Sequence, residues 1–291
     1  MPFLTILLLF FIFHDARAGV ADPLTGVRIS VLATQTVLAA PPLPSLETTK
    51  HGELAVQGSY ISANVNDSQV LKATQGPDFT VYTTGQFRGG ATGLGYTTPT
   101  RSDFGFFIFG TYNYLTGNIQ MAVPGSPTFA ISDMHNQGIS GASGLSWRLW
   151  KSNYHLFALG IFFGPTASLF NSKFTVQGTN YNSSPNAFGA MAGAQMEFKI
   201  LGISFNPYAI YYQDFSDGCK KFSADNADVI DINSTCKEGQ NYLNLPLSFA
   251  AYGMNAGFGD FTIGVYSHVK KDSTLNAINL ENYQLSYSFG L

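Results

Sequence analysis

Histidines and carboxylates near one predicted end of the fold could do acid–base chemistry. These residues are His135 and His268, with Asp133, Asp214 and Ser267 as predicted neighbours. A histidine held by a carboxylate can activate a hydroxyl group or a water molecule for hydrolysis. A solvated histidine at the surface is the simpler interpretation. We therefore assign no catalytic residue and expect no enzyme, and a hydrolase stays as an alternative.

Charged side chains within the predicted strands form a second set of candidate functional residues. They fall on the strand face that we assign to an enclosed interior, and they are Arg88, Arg148, Glu197, Lys199 and His268. Because isolated buried charges are costly, we expect these groups to pair with one another inside the fold. There they would either form structural ion pairs or tune a narrow channel.

The stretch from 214 to 239 contains both cysteines, Cys219 and Cys236. Export to an oxidising compartment predicts a disulfide between them, and two free thiols are the alternative. If the chain recognises an extracellular ligand, this loop is its predicted site. The acidic run at 225–231 lacks the ligand spacing and the glycine of an EF-hand, and the glycine-rich run at 89–95 precedes no helix. We therefore predict neither a metal site nor a cofactor.

The composition is unusual for a soluble domain. Charged residues make up 11 % of the chain, against about 25 % in soluble domains, while aromatic residues reach 14 %. A soluble surface would need more charge than this chain supplies. The formal net charge of −3 also offers no basic surface, so we expect no nucleic-acid partner.

The first 18 residues have the composition of a signal peptide. An apolar run covers 3–13, and the Ala-Arg-Ala stretch at 16–18 offers the small residues that signal peptidase reads. The run is shorter than the roughly 20 residues that span a bilayer, so we predict cleavage after residue 18, with an uncleaved anchor as the alternative. The proline-rich stretch 19–51 is predicted to be a periplasmic tether, and 52–291 the folded domain.

The folded domain is predicted to be entirely β-structure. From residue 52 onward the sequence shows no helical period, only segments with partial alternation of apolar and polar residues. We predict ten strands at about 52–65, 79–96, 103–116, 136–150, 154–170, 186–200, 203–213, 240–258, 261–270 and 281–291. Twelve strands are the alternative, if the stretch 27–38 pairs and another segment supplies one more.

The connections between these strands alternate between long and short. The shortest are KSN, LG and GD, and the longest is the loop with the cysteines. Successive connections of an antiparallel meander lie at opposite ends, so the long loops gather at one end. Transmembrane β-barrels show this pattern, with short periplasmic turns and longer extracellular loops. An even number of strands would place both termini in the periplasm.

The side-chain pattern of several strands agrees with a barrel in lipid. In the 186–200 segment the predicted lipid face contains Phe188, Ala190, Ala192, Ala194, Met196, Phe198 and Ile200. The run at 104–110 is apolar on both faces, so some of its phenylalanines must fill the interior. Two aromatic girdles are predicted, one of Trp147, Trp150, Tyr154 and Phe289 and one of Tyr112, Tyr114, Tyr211 and Tyr212.

Three prolines fall inside predicted strands: Pro165, Pro207 and Pro246. Proline cannot donate a hydrogen bond to a neighbouring strand, and a closed barrel has no free edge to receive it. We therefore expect β-bulges or displaced strand boundaries at these positions.

The last ten residues alternate up to the end of the chain. Their apolar positions are Tyr283, Leu285, Tyr287, Phe289 and Leu291. This segment resembles the C-terminal β-signal of bacterial outer-membrane β-barrel proteins, although that family favours an aromatic residue at the last position. The resemblance implies assembly by the barrel-assembly machinery of a Gram-negative bacterium. It also implies contact with the lipid bilayer and its lipopolysaccharide, and a location in the cell outer membrane.

We therefore predict an all-β protein, a transmembrane antiparallel up-and-down β-barrel at 52–291. A barrel of about ten strands is closer to the filled lumen of about eight strands than to the open channel of about 16–18. The predicted role is structural or in surface interaction, with a narrow passive channel as an option. The alternatives are a dedicated small-solute porin and a hydrolase at the rim. The sequence lacks the Asp-rich rim signature of omptin-like proteases and the His-x-Ser-Asn-Gly motif of outer-membrane phospholipases.

Overall fold

The computed structural model describes residues 52–71, 79–98, 103–122, 124, 128–152, 156–176, 178–184, 186–215, 222–224, 248–269 and 278–290. The predicted signal peptide and tether, residues 1–51, lie outside the described residues, and so does the stretch 27–38. No helix in the described ranges is long and apolar enough to cross a membrane.

The described chain forms twelve β-strands. They are β1 (Glu53–Leu71), β2 (Phe79–Thr97), β3 (Phe104–Ala122), β4 (Phe129–Lys151), β5 (Phe157–Val176), β6 (Thr179–Ser183), β7 (Asn186–Ile200), β8 (Ile203–Asp214), β9 (Phe222–Ala224), β10 (Ser248–Phe258), β11 (Phe261–Val269) and β12 (Ile278–Gly290). Ten of them are long enough to cross a membrane at a tilt, whereas β6 and β9 are short.

Ten strands close into an antiparallel barrel, as predicted. Each of the ten pairs with the next along the chain, and β12 returns to pair with β1 from Glu53 opposite Gly290 to Val65 opposite Ile278. The two short strands are not members of this ring. Strand β6 pairs with the C-terminal part of β5, beyond the residues of β5 that pair with β7, and β9 pairs with β6. A closed sheet pairs the backbone groups of every strand, which a lipid environment requires.

The two ends of the barrel differ in the length of their connections. We call the end that contains Glu53 and Gly290 the terminal end and the opposite end the loop end. At the terminal end, two-residue turns join β7 to β8 through Leu201 and Gly202 and join β10 to β11 through Gly259 and Asp260. Gly202 and Gly259 have φ angles of 81° and 60°, a conformation that glycine adopts without strain.

Large apolar side chains cover the outward face of the barrel. Exposed examples are Phe104, Ile108, Leu145, Phe163, Phe188, Met196, Met254, Ile263 and Leu285. On β7 the predicted faces are confirmed, since Phe188, Met196 and Ile200 are exposed while Ala187 and Met191 are buried. This apolar band fits the hydrocarbon layer of a membrane, in agreement with the predicted location in the cell outer membrane.

The predicted aromatic girdles are confirmed in part. At the terminal end Trp147 and Trp150 are exposed, and Trp147 stacks on Phe104 with a centroid distance of 5.2 Å. Toward the loop end Tyr112 and Tyr114 are exposed. Tyr212 was assigned to the outer girdle and this is wrong, because it lies on the inward parity of β8 and is buried in the lumen. Tyr154 and the side chain of Phe289 lie outside the described residues.

The interior is filled by large side chains. The largest fully buried ones are Tyr212, Phe87, Phe107, Phe162, Phe174, Ile61, Leu115 and Ile119. The run at 104–110 divides as expected, since Phe107 is buried whereas Phe104 and Phe106 are exposed. Glycines on neighbouring strands leave room for these rings: a Cβ atom at Gly144 would lie 2.7 Å from the Cζ of Phe107.

The strands pass Pro165 and Pro207 without a shift of register. Pairing of β4 with β5 runs from Ala142 opposite Thr166 to Leu145 opposite Phe163, in the same register on both sides of Pro165. Because proline lacks a donor, the ladder is interrupted there but no extra residue is inserted. The expectation of bulges at these two prolines was wrong. Pro246 lies outside the described residues.

Candidate functional site

The lumen near the terminal end contains a paired charge. Arg148 is 4 % exposed and points inward from β4. Its Nε and Nη2 atoms both donate to the Oδ1 atom of Asp103, at 3.1 Å and 2.9 Å. Its backbone N–H also donates to the carbonyl oxygen of Asp103 at 2.8 Å. The predicted position of Arg148 agrees with the structure, whereas its partner Asp103 was not predicted.

Two more residues of the predicted charge cluster lie on the inward parity of β7. Glu197 and Lys199 are half-buried, and both make interactions with other groups. Strand β5 lies between Arg148 on β4 and the residues of β7. Its Gly160 is opposite Arg148 on one side and opposite Gln195 of β7 on the other. Because glycine has no side chain, it leaves space at this level of the lumen for the long side chains of its neighbours.

Arg88 was predicted to face the lumen, and the structure contradicts this. Arg88 is exposed and lies on the outward parity of β2, while its neighbour Phe87 is fully buried. Its cross-strand neighbours are Ser62 on β1 and Thr116 on β3. These polar neighbours place Arg88 beyond the apolar band, where an outward arginine meets little of the cost that it would have in hydrocarbon.

Several predicted site residues lie outside the described residues. They are Cys219 and Cys236 with most of the loop at 214–239, and the side chains of Asp214, Ser267 and His268. The disulfide and the binding role of the loop therefore stay predictions. Within that loop only Phe222–Ala224 is described beyond Phe215, as strand β9.

A substitution at Asp103 tests the terminal-end ion pair. We expect Asp103→Asn to lower the free energy of unfolding by about 1–2 kcal/mol, because a neutral amide accepts weaker hydrogen bonds from the buried guanidinium than a carboxylate does. Urea titration of the barrel folded in lipid vesicles, followed by tryptophan fluorescence, measures the change. Asp260→Asn, in an exposed turn at the same end, is the control. Equal losses for both variants would contradict the role of the pair.

The inner wall formed by β3, β4 and β5 contains small polar groups that the sequence did not single out. The buried members are Thr111, Asn113, Asn136, Ser140, Ser146, Thr166, Ser168 and Ser172. The hydroxyl of Ser140 donates to that of Ser168 at 2.6 Å. Both amide atoms of Asn136 and the hydroxyls of Thr166 and Ser172 have no hydrogen-bond partner among the described residues. Such groups are satisfied in proteins by buried water.

A polar cavity lies at the loop end, beside β4, β5 and β6. It has a volume of about 380 Å³ and is lined by Asp133, His135, Lys173, Phe174, Thr175, Asn180 and Asn182. The structure thus brings together His135 and Asp133, which we predicted to be neighbours. Nδ1 of His135 and the hydroxyl of Tyr114 are 3.0 Å apart.

The local backbone explains the shape of this cavity. The register between β4 and β5 shifts between Ser132 and His135, and Asp133 has a φ angle of 50°. A β-bulge with a left-handed residue re-aims the adjacent side chains. Lys173, Asn180 and Asn182 were not among the predicted site residues. The pairing of β4 with β5 places Lys173 opposite His135, and the pairing of β5 with β6 brings Asn180 and Asn182 to the same cavity.

The C-terminal strand has the predicted alternation. Tyr283, Leu285 and Tyr287 are exposed on the outward face of β12, whereas Gln284 is buried. β12 closes the ring by pairing with both β1 and β11. Leu291 and the side chain of Phe289 lie outside the described residues.

Comparison with known proteins identifies the fold but no family. No protein-family model and no curated protein matches the chain. The translocator domain of the autotransporter NalP from Neisseria meningitidis has a TM-score of 0.51 and 7 % identity, covering 92 % of this chain and 96 % of that one. The outer-membrane protease OmpT from Escherichia coli has a TM-score of 0.45 and 10 % identity, covering 83 % and 98 %.

The transport unit of the autotransporter AIDA-I from Escherichia coli is also similar, with a TM-score of 0.43 and 14 % identity over 93 % of this chain and all of that one. Identities this low concern the fold and not the activity. The closed ring of ten strands, its apolar outward band and the similarity to the NalP domain agree. The chain has the fold of the bacterial outer-membrane β-barrels, as its C-terminal strand indicated.

Proposed function

We propose that this protein is a closed outer-membrane barrel that acts through its exposed surface rather than by general solute transport. The packing of the lumen carries this proposal. Phe87, Phe107 and Phe162 are fully buried, together with Ile61 and Leu115, although all of them lie on the inward faces of strands. A porin lumen would instead be lined by polar side chains in contact with water.

Inside the lumen, the phenylalanine rings of different strands contact one another. The rings of Phe107 on β3 and Phe162 on β5 are 6.4 Å apart in an edge-to-face arrangement. The strand between them is β4, and the absence of a side chain at Gly144 leaves room for Phe107. Such contacts stabilise a packed interior, and they leave little free cross-section for a solute.

The loop end supplies the surface through which such a protein could act. Strands β6 and β9 extend the sheet beside β5, and polar residues such as Asn180 and Asn182 are exposed there. A rigid barrel that holds its loops in place reduces the conformational entropy that the loops lose when a ligand binds. We propose that the extracellular ligand site includes the loop at 214–239, which contains β9. We also propose that the barrel-assembly machinery recognises β12.

Single-channel recording tests the closed lumen. We expect the folded protein to produce no discrete conductance steps in planar bilayers, because the buried rings block the lumen. The double variant Phe107→Ala/Phe162→Ala is expected to produce steps, since it removes two of the largest rings from one level of the lumen. Retarded migration of the unheated protein on gels confirms that each sample is folded before it is recorded.

Two results would contradict the proposal. Discrete steps from the unaltered protein would show an open lumen and favour the porin. A folded double variant without conductance would show that these two rings do not form the barrier. Phe104→Ala is the matched control, because this ring is exposed on the outward face of the same strand as Phe107.

A narrow water-conducting path is the second candidate function. The buried polar atoms of Asn136, Thr166 and Ser172 on the inner wall support it, since they have no hydrogen-bond partner among the described residues and could hold water. Such a path would pass water but not larger solutes. Faster osmotic shrinkage of vesicles that contain the protein, without conductance or sugar uptake, would favour this function over a fully closed barrel.

A further inference from the structure

A continuous row of polar side chains runs across the outward face near the loop end. Cross-strand pairing aligns Arg88 with Thr116, Thr116 with His135, and His135 with Lys173, and then Lys173 with Asn182 on β6. We call these five residues the polar row. Neighbouring strands lie about 4.8 Å apart, so the row places its two cations about 14 Å from each other.

The polar row lies directly beyond the apolar band. On β3 the next outward residue toward the terminal end is Tyr114, and on β4 and β5 the band begins within four residues at Ile139 and Leu169. Ile139 and Leu169 are 61 % and 66 % exposed, as expected of side chains that face lipid. The polar row therefore lies at the level where hydrocarbon gives way to lipid headgroups.

The cations of the row have no internal partner in the part of the chain that is described. Arg88 and Lys173 are both exposed, and neither forms an ion pair with a described carboxylate. Structural charges on a barrel are commonly paired, as Arg148 is with Asp103. Two cations on one face without a described partner favour an external anion, and phosphate is an anion that both arginine and lysine bind.

The cavity beside the row offers groups that bind sugar hydroxyls. Asn180, Asn182 and Thr175 supply amide and hydroxyl groups, and Asp133 supplies a carboxylate acceptor. The hydrogen bond between His135 and Tyr114 fixes the orientation of the imidazole between the cations. A site for a phosphorylated sugar needs these two kinds of group next to each other.

We propose that the polar row and the adjoining cavity bind the phosphorylated sugar headgroup of a glycolipid in the outer leaflet. Arg88 and Lys173 contact phosphate groups, and the polar side chains of the cavity contact the sugar. A membrane glycolipid is favoured over a soluble sugar phosphate because its acyl chains would lie against the apolar band directly below the row. The site does not depend on whether the lumen conducts.

Native mass spectrometry of the full barrel in detergent tests the site with purified rough lipopolysaccharide as the probe. We expect the unaltered protein to retain the glycolipid, and Arg88→Glu/Lys173→Glu to weaken binding by about tenfold or more. Lys151→Glu is the control, because it makes the same kind of charge reversal at the terminal end. Unchanged binding by the double variant, or an equal loss in the control, would overturn the proposal.

A second arm uses the unaltered protein and so does not depend on the folding of any variant. Lipopolysaccharide from which the phosphates have been removed is expected to bind about tenfold or more weakly than the intact probe. Equal binding of the two would overturn the assignment of phosphate. Glucosamine 1-phosphate distinguishes the sources: an affinity for it equal to that for intact lipopolysaccharide would overturn the membrane glycolipid as the ligand.

Discussion

Ala194→Arg is expected to lower the free energy of unfolding of the barrel by about 2–4 kcal/mol. Ala194 lies midway along the outward face of β7, between Ala192 and Met196. Its cross-strand neighbours are Ile161 on β5 and Ala209 on β8. An arginine there is surrounded by apolar side chains and hydrocarbon, so its charge would lose its hydration. Urea titration of the barrel in lipid vesicles measures the loss.

Two control variants separate charge in lipid from other effects of this substitution. Ala194→Leu adds bulk without charge and is expected to change stability by less than about 1 kcal/mol. Gln120→Arg places the same charge on an exposed outward position of β3 beyond the apolar band, where we expect a loss of about 0–1 kcal/mol. If Ala194→Arg were no more costly than Gln120→Arg, the band around β7 would not face hydrocarbon.

The barrel and its strand number could be predicted because two independent signals agree. Short turns such as those at Leu201 and Asp260 alternate with long loops, and strands such as β7 and β12 have one apolar face. The first signal follows from antiparallel topology and the second from the contact with lipid. Both signals come from the part of each strand that crosses the membrane, and over that part the predicted strands agree with the structure.

The strand ends at the loop end could not be predicted by the same reasoning. We expected β1 to end at 65 and β3 at 116, whereas they continue to Leu71 and Ala122. Beyond the apolar band the outward side chains become polar, as at Asn64 and Gln120, but the backbone ladder continues. Hydropathy marks where a strand leaves the membrane and not where its pairing stops.

The error at Arg88 has a related cause. Within the apolar band an outward arginine would be costly, and this led to its assignment to the lumen. The surrounding sequence, QFRGGATGLG, has glycines on both parities, so alternation could not decide which face is which. In the structure Phe87 is buried, so the odd-numbered residues of this strand face the lumen and Arg88 faces outward, beyond the band.

The candidate site depends on features that no local pattern contains. His135 and Asp133 could be chosen from their types, but their cavity is completed by Lys173, which the β4–β5 register places opposite His135, and by Asn182 on β6. In the same way, Arg148 could be assigned to the interior, but its partner Asp103 is 45 residues earlier in the chain. Register between strands decides both, and local sequence patterns do not show which residues of distant strands will be opposite each other.

Gly144→Ala is expected to lower the free energy of unfolding by about 3 kcal/mol, at the upper end of the range for overpacking. A Cβ atom there would meet the backbone carbonyl oxygen of Phe163, and it would lie 2.7 Å from Cζ of Phe107 and 2.9 Å from Cα of Gly164. Two of these three atoms belong to the backbone of β5, which cannot rotate away. Urea titration in lipid vesicles measures the loss.

Gly141→Ala on the same strand is the matched control, because its new Cβ would lie 3.5 Å from the nearest atom, the carbonyl oxygen of Phe109. We expect this control to be neutral or slightly stabilising, since alanine reduces the entropy of the unfolded chain. Phe107→Ala is itself destabilising, so a double-mutant cycle is needed, and we expect Gly144→Ala to cost less in the Phe107→Ala background than in the unaltered protein, but not to become neutral, because only the side-chain contact is removed. A Gly144→Ala substitution that is neutral in the Phe107→Ala background would show that β4 and β5 do not approach closely. Equal stability of Gly144→Ala and Gly141→Ala would leave the lumen wider at this level than a closed barrel requires.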